Sequence, residues 1–445
     1  MANDGPQGAA TPIPSESTPA TGSGGSKAPP LPIDQPWYRE LLVVAVLVGA
    51  ALGLLSIAYL GVTGAAAGLI FGDPRLEAWS GEWWWIPFIA VGGLLITALR
   101  QWWAAPEHIP GGVAVIESGV VNHRVALSWV GLSLVSAVAG ASLGPSFALV
   151  MMGGGIASWI ASRRWAGNED ARLQATLAGI AGGFGGAFTA PLLGTTMVSE
   201  LAPTSHPKYV QAFLPQLIAA TAAFGIFFGV VGTTFLDSFA IPVEDFTPSQ
   251  LLIGAVLGLA SSVVLITFVV IVKLVNHVAD KLSHPYVRGL VGGVLIGCLA
   301  VALPLTIGAG NSQLTAVIDN SATIGIGLLL AVLVGKMLAM ALSLAAGFIG
   351  GNVLPMLFVG GTAGAIVHLM FPSIPYAIAV GCMLSAVPGA FIKAPIGLTL
   401  IASLSIGLGP VTTAPVAIAV VTAYLLTAAI LAVARRRMTA PPIHA

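Results

Sequence analysis

An apolar run that is broken in its middle constrains the fold of this chain more than any other feature. Residues 140–155 read GASLGPSFALVMMGGG, in which Gly140, Gly144 and Pro145 interrupt the run. The interruption predicts two half-helices, and the first amides of the second have no carbonyl partner within their own helix. Irregular backbone inside a bilayer is tolerated only where protein or a watery cavity covers it. The stretch therefore predicts the wall of an ion or solute site, and unpaired amides with a helix dipole favour an anion.

The composition places the rest of the chain in the membrane as well. Of 445 residues, 56% are hydrophobic and 8% are charged, against roughly 25% charged in ordinary globular domains. An all-α polytopic membrane protein is the class that this predicts.

The net charge of zero offers no footprint for nucleic acid. Cys298 and Cys382 lie in apolar runs and are interpreted as small buried hydrophobes. Without metal-ligand spacing or a nucleophile beside a base, we expect no metal, no cofactor and no enzymatic activity.

Apolar runs predict where the chain crosses the membrane and how it is divided. Residues 1–36 are rich in Pro, Ser, Thr and Gly and predict a disordered tail. Residues 37–240 and 250–434 form the two predicted membrane units, and 435–445 a short basic tail. Three consecutive arginines at 435–437 favour a cytoplasmic C-terminus in the plasma (inner) membrane. The predicted apolar stretches are 41–60, 83–99, 125–160, 175–201, 213–235, 251–275, 287–304, 324–348, 350–367, 374–388, 390–405 and 416–433.

The two halves of the chain resemble each other. Residues 186–195 (GAFTAPLLGT) match residues 389–398 (GAFIKAPIGL), and residues 144–147 (GPSF) correspond to 354–358 (LPMLF). Segments interrupted by Gly and Pro at matching positions of two halves predict a duplicated transporter fold with its site between the repeats. The alternative is that Gly and Pro are simply common in membrane helices.

The order of these segments resembles the CLC family of chloride channels and anion/proton exchangers, over roughly residues 40–435. The resemblance rests on a Pro-Glu…Ile-Pro segment at 106–110, the Gly-Pro break at 144–145, 188–192 (FTAPL), 308–310 (GAG), 350–355 (GGNVLP) and 393–395 (KAP). It implies a CLC-type inverted repeat of two halves, with broken, re-entrant helices that meet mid-membrane. It also implies a homodimer in the lipid bilayer, each subunit carrying its own path for chloride or another small anion.

The resemblance also implies which residues form the anion pathway. They are Ser142, Leu143, Gly144, Pro145 and Ser146 in the first break, and Gly351, Asn352, Val353, Leu354 and Pro355 in the second, with the amides near Asn352 and Val353 facing the ion. A shortened loop of Glu107, His108, Ile109 and Pro110 is the candidate filter or gate.

Departures from the family pattern decide between transport modes. Leu143 stands where the family places its gating glutamate, and Ser142 stands in the preceding arginine position. The second glutamate falls on Leu201, with Glu200 one position before it. Since leucine carries no proton, we expect a chloride-type channel or an uncoupled anion permease, in which Leu143 leaves the path open or plugs it. The alternatives are a proton-coupled exchanger that uses Glu200 or Glu107, and a non-conducting scaffold of the same fold.

Three charged residues have two interpretations each. Glu200 is either a proton carrier or a structural partner for a backbone amide or an arginine. Lys336 lies inside an apolar run, so it is either functional or extends its ammonium to the membrane interface. Lys393 either lends positive potential to an anion path or anchors its segment at the interface.

Overall fold

The computed structural model describes residues 31–72, 81–106, 109–203, 208–233 and 239–439, with side chains as far as residue 433. Within these ranges the chain forms fifteen α-helices and no strand. The helices are α1 (Pro36–Phe71), α2 (Trp85–Trp102), α3 (Gly112–Ser118), α4 (His123–Val138), α5 (Ser146–Arg164), α6 (Glu169–Ala187), α7 (Pro191–Leu201), α8 (Tyr209–Val231), α9 (Ser249–Ala279), α10 (Pro285–Ala302), α11 (Asn311–Ala345), α12 (Val353–Met370), α13 (Tyr376–Gly389), α14 (Pro395–Ile406) and α15 (Ala414–Thr439). A 3-10 turn, Pro304–Thr306, lies between α10 and α11.

Eight of the described helices are long and apolar enough to cross a bilayer: α1, α2, α8, α9, α10, α11, α12 and α15. They confirm the prediction of an all-α polytopic membrane protein. In α12, 78% of the most apolar window is buried inside the protein, against 28% in α9 and in α15. Helix α12 therefore lies in the centre of the molecule, and the other two present most of their surface outward.

Several helix boundaries differ from the sequence-predicted stretches. The stretch 175–201 is two helices, because the chain leaves α6 after Ala187 and α7 starts afresh at Pro191, where proline suits a first helical position. Helix α11 begins well before residue 324 and kinks at Gly325. Helix α15 continues through residues 435–439, which the sequence assigned to the tail. Apolarity locates membrane segments, whereas these ends depend on caps and on neighbouring helices.

The two halves of the chain repeat the same helix contacts. Helix α1 packs on α8 as α9 packs on α15, and α5 packs on α6 as α12 packs on α13. The pairs α6–α7 and α13–α14 correspond in the same way. The predicted duplication is therefore present in the fold, and the contacts that cross between the repeats define where a shared site can lie.

Candidate functional site between the two helix breaks

Helices α4 and α11 end in the same way, and this directs the chain into the two breaks. Gly140 has φ +82° and Gly347 has φ +89°, a left-handed conformation that a Cβ would penalise. The amide after each glycine bonds back to the carbonyl of Ser136 (3.1 Å) or of Ser343 (3.0 Å). This is the Schellman closure of a helix C-terminus. Each helix therefore ends at its glycine, and the backbone turns toward the other repeat.

The two breaks are joined directly by backbone hydrogen bonds. The Gly144 amide donates to the Gly351 carbonyl at 2.7 Å, and the Gly351 amide donates to the Gly144 carbonyl at 2.7 Å. This isolated pair is antiparallel. Helix α5 begins at Ser146 and α12 at Val353, two residues beyond the pair in each repeat. The N-termini of two half-helices, one from each repeat, therefore begin at a common point.

Two serines each bond to the backbone of the break in the opposite repeat. The Ser142 amide donates to Ser343 Oγ at 3.0 Å, and the Ile349 amide donates to Ser136 Oγ at 2.9 Å. Each hydroxyl in turn donates to the carbonyl four residues earlier in its own helix. The serines, the bonded amides and the paired glycines are all separated by 207 positions. A pseudo-two-fold axis therefore passes through the glycine pair, and each repeat anchors the break of the other.

This symmetry corrects the sequence alignment of the breaks. The alignment placed Pro145 opposite Pro355, whereas the structure places it opposite Asn352. Pro145 is the N-cap of α5, but Pro355 is the third residue of α12. The prolines were the conspicuous residues, but the repeated pattern is Ser-x-x-Ala-Gly-x-x-x-Gly, at 136–144 and again at 343–351. That pattern was the available signal for Ser136 and Ser343, which the sequence reading missed.

The first amides of α5 and α12 are buried and unpaired. Neither helix has a side-chain cap, and only 1% of Phe147 and 4% of Val353 are exposed. A buried donor left without a partner costs about 1–3 kcal/mol. Such donors at helix N-termini form an anion-binding arrangement. The amides that have no hydrogen-bond partner among the described residues are those of Ser146, Phe147, Ala148, Asn352, Val353 and Leu354.

The breaks fit together only because glycine occupies two positions of the second one. A Cβ on Gly351 would lie 1.7 Å from Ser146 Oγ and 2.9 Å from the Phe147 nitrogen. A Cβ on Gly350 would lie 2.5 Å from the Leu143 Cβ. Leu143 itself is 3% exposed, so its side chain is packed between the breaks. It brings no titratable group to this point.

The candidate filter loop adjoins the start of α5. Glu107 and His108 lie outside the described residues. Ile109 is partly buried against the central core, and Pro110 is exposed. Gly112 opens α3, and a Cβ on it would lie 3.6 Å from the Phe147 Cα. The segment that follows the loop therefore lies beside the unpaired amides of α5.

Glu200 and Lys393 belong to other contacts. The two carboxylate oxygens of Glu200 accept the amides of Ile396 and Gly397, each at 2.8 Å, so Glu200 caps the N-terminus of α14. Lys393 is exposed and pairs with Glu117 at 3.1 Å. The structure does not bring either side chain to the paired breaks. Lys336, by contrast, does not reach the interface: it is 0% exposed and bonds to backbone carbonyls.

Replacement of Ser343 by alanine is expected to destabilise the protein. The Ser142 amide would be left buried without an acceptor, which costs about 1–3 kcal/mol. We expect a lower midpoint of thermal unfolding in detergent, and an equal shift for Ser136→Ala, its symmetry mate. The control is Ser261→Ala, because Ser261 is also 0% exposed but bonds only to the Leu257 carbonyl of its own helix. Equal shifts for all three variants would contradict the role of the cross-repeat bonds.

Comparison with known proteins agrees with this geometry. The sequence matches the family described as "Voltage gated chloride channel" over residues 92–428. Proteins named "Putative ion-transport protein YfeO" from Salmonella newport and Salmonella typhimurium are 24% identical over 365 residues, which cover 78% of this chain and 85% of those proteins. The match covers most of the chain and both breaks. The chain therefore belongs to the voltage-gated chloride channel (CLC) family.

Solved structures share the fold. A slow cyanobacterial Cl⁻/H⁺ antiporter superimposes with a TM-score of 0.74 at 21% identity, over 92% of this chain and 100% of that one. A CLC-type fluoride/proton antiporter gives 0.72 at 18% identity, over 87% and 95%. A eukaryotic CLC transporter gives 0.68 at 19% identity, over 89% and 73%. At these identities the likeness establishes architecture and leaves the transport mode to the residues of this chain.

Proposed function

We propose that this protein is an uncoupled anion permease or channel of chloride type. The anion is held by the N-terminal amides of α5 and α12, without a protonatable gate. The observation that carries the proposal is the set of six amides without a partner among the described residues, on both sides of the Gly144–Gly351 pair; five of them belong to buried residues and the sixth to Asn352. Several weak donors suit transport, because an ion must be bound well enough to enter and weakly enough to leave.

Two residues support the absence of proton coupling. Leu143 occupies the packed position between the breaks and cannot exchange a proton. The carboxylate of Glu200 is bound by two amides of α14. A carboxylate that accepts two amides in the first turn of a helix acts as an N-terminal cap. This geometry supports a structural role for Glu200.

Proton-coupled exchange is the second candidate. Two solved structures that share the fold are described as proton antiporters, one for chloride and one for fluoride. In this chain the exchanger would have to use Glu200 or Glu107. The preferred anion, chloride or another small anion, is part of the same question.

The proposed dimer follows from the resemblance to the family, and the proposed orientation follows from the sequence. We propose a homodimer in the plasma (inner) membrane with a cytoplasmic C-terminus. The helices available for a second copy include α14 and α15, whose exposed apolar residues include Ile396, Leu404, Val421 and Leu425. The arginines at 435–437 support the orientation.

The proposal is tested by anion efflux from liposomes that contain the purified protein. External chloride and internal pH are recorded together, with fluoride, bromide and nitrate as alternative anions. Anion release without linked proton movement is expected. Opposed proton movement in a fixed ratio would establish the exchanger instead, and silence for every anion would overturn transport in favour of a scaffold.

Glu200→Gln separates the two interpretations of Glu200. The amide oxygen of glutamine still accepts one backbone N–H, so we expect anion flux to remain within about twofold, with loss of about 0.5–2 kcal/mol of stability from a weakened cap. Thermal unfolding in detergent and efflux from liposomes measure the two effects. Thr196→Ala on the same helix, whose hydroxyl bonds only to carbonyls of α7, is the control. Loss of a proton-linked flux in Glu200→Gln alone would identify a proton carrier.

A further inference from the structure

Helices α9, α10 and α11 enclose an apolar groove on the surface of the protein. The groove has a volume of about 270 Å³, and every residue that lines it is Leu, Val, Ala or Gly, except Arg288. Its walls are residues 274–282 of α9 and 288–295 of α10, and its floor is residues 342–346 of α11. The wall residue Val278 is exposed, whereas Ala346 on the floor is buried. A concave surface of this composition suits a hydrocarbon chain.

Arg288 brings an unsatisfied cation into this apolar groove. Its Nε is buried and has no hydrogen-bond partner among the described residues. Its Nη2 makes one long bond, at 3.4 Å, to the Leu282 carbonyl. The ion pairs among the described side chains do not include Arg288. A buried donor of a charged group is costly to leave unpaired, so an anion that entered the groove would complete the bonding of this guanidinium.

Further positive charge lies at the same end of the groove. Leu282 and Arg288 are the lining residues nearest to the connection between α9 and α10. In this connection Lys281 and His284 are exposed, and neither belongs to an ion pair among the described residues. The acidic residue here is Asp280, which is also exposed. By the positive-inside rule, these charges favour the cytoplasmic side of the membrane for this end.

The first turn of α10 adds backbone donors at this end. Helix α10 begins at Pro285 and has no side-chain cap. The amides of Tyr286 and Val287 have no hydrogen-bond partner among the described residues. Unpaired amides at a helix N-terminus favour an anion, and tyrosine is typical of the level of the lipid headgroups. The end of the groove therefore combines free donors with the depth at which lipid phosphates lie.

We propose that this groove binds one anionic phospholipid of the cytoplasmic leaflet. The phosphate contacts Arg288 and the first turn of α10, and one acyl chain follows α10 as far as Leu295, a length of roughly 11 Å. Basic pockets between membrane helices are known to bind anionic headgroups. A zwitterionic headgroup is disfavoured, because its own cation would lie near Lys281. The inference goes beyond the proposed function and is independent of which anion is transported.

The floor of the groove connects the lipid to the paired breaks. Leu342 and Ala346 lie on either side of Ser343, whose hydroxyl accepts the Ser142 amide at 3.0 Å. A chain in the groove would contact the same turn of α11 that bonds to the first break. The bound lipid is therefore expected to stabilise this end of α11.

Native mass spectrometry of the purified full-length protein tests the preference for an anionic headgroup. Phosphatidylglycerol and phosphatidylcholine of equal chain length are titrated separately, and we expect the first phosphatidylglycerol to bind at least tenfold more tightly. Arg288→Gln should lower that affinity about tenfold, because an ionic hydrogen bond is lost, and should leave phosphatidylcholine binding unchanged. Arg124→Gln, at an exposed position at the start of α4, is the control and should bind both lipids as the wild type does. Equal binding of the two lipids by the wild type, or unchanged binding in Arg288→Gln, would overturn the inference.

A second pair of variants tests the position of the acyl chain. Val278→Trp places an indole in the groove and should weaken the binding of phosphatidylglycerol at least tenfold. Val263→Trp is the matched control, because both valines lie on α9 and are 61% exposed, but Val263 does not line the groove. Its binding should equal that of the wild type. Equal binding by both tryptophan variants would show that the chain lies elsewhere and would overturn the inference.

Two other occupants of the groove are distinguished in the same experiments. Inorganic phosphate should not displace the lipid, since it gains nothing from the apolar walls. Displacement by phosphate would assign the donors to a free anion and overturn the lipid. A larger assembly of the wild type that Val278→Trp abolishes, without bound lipid, would assign the groove to a second copy of the chain. Lipid binding by a protein that transports no anion would refute the proposed function and leave this inference intact.

Discussion

Gly351→Ala is expected to reduce anion flux at least tenfold and to lower the thermal midpoint of the protein. The added Cβ would lie 1.7 Å from Ser146 Oγ and 2.9 Å from the Phe147 nitrogen. The hydroxyl can rotate away, but the backbone nitrogen cannot, so the two breaks must separate. Overpacking of a buried contact costs about 1–3 kcal/mol, and each 1.4 kcal/mol lost from anion binding is about tenfold in affinity.

The effect arises at the junction of both half-helices, which is why it should exceed that of other glycine replacements. Separation would also strain the two 2.7 Å bonds between Gly144 and Gly351. Gly61→Ala is the control, since Gly61 lies in α1 and a Cβ there would meet nothing within 4 Å. That variant should retain flux and stability. Wild-type flux in Gly351→Ala would show that the paired breaks do not form the pathway.

The sequence was sufficient for the class of protein and for the location of both breaks. Runs of apolar residues predict membrane helices because the bilayer imposes one length and one polarity on all of them. Gly140, Gly144 and Pro145 predict a helix end because they disfavour helix locally. The repeat could be detected because duplicated halves meet the same constraints. These are local or periodic properties, which a single sequence displays directly.

Contacts between distant residues could not be predicted in the same way. The sequence aligned Pro145 with Pro355 by residue type, but the Gly144–Gly351 pairing sets a different correspondence. Lys336 was left with two interpretations, because apolarity does not reveal that the carbonyls of 306–308 surround its ammonium. Glu200 could be a proton carrier or a cap until the amides of α14 were placed against it. In each case the partner lies on another element, and local pattern carries no information about it.

Leu143→Glu is expected to convert a flux that is independent of pH into one that rises at acid pH. Leu143 is 3% exposed and lies between the breaks, directly before Gly144, which exchanges two backbone hydrogen bonds with Gly351. An ionised carboxylate there would accept from the unpaired amides of α5 and so compete with the transported anion. Protonation removes that competition, since a neutral carboxyl group binds such donors less strongly. We expect flux in liposomes to be at least about tenfold greater at pH 4.5 than at pH 7.5, a difference equal to about 1.4 kcal/mol.

Leu143→Gln provides the matched control, because glutamine has nearly the same shape as glutamate but carries no charge. Its flux, like that of the wild type, should not change between the two pH values. A folded Leu143→Glu variant with the same flux at both would place the pathway elsewhere than at the α5 amides. If instead the glutamine variant conducts faster than wild type at both pH values, the leucine side chain is itself an obstruction. The path at the paired breaks would then be closed by the packed leucine side chain. A charged gate, by contrast, would close the path by competing with the anion for the amides.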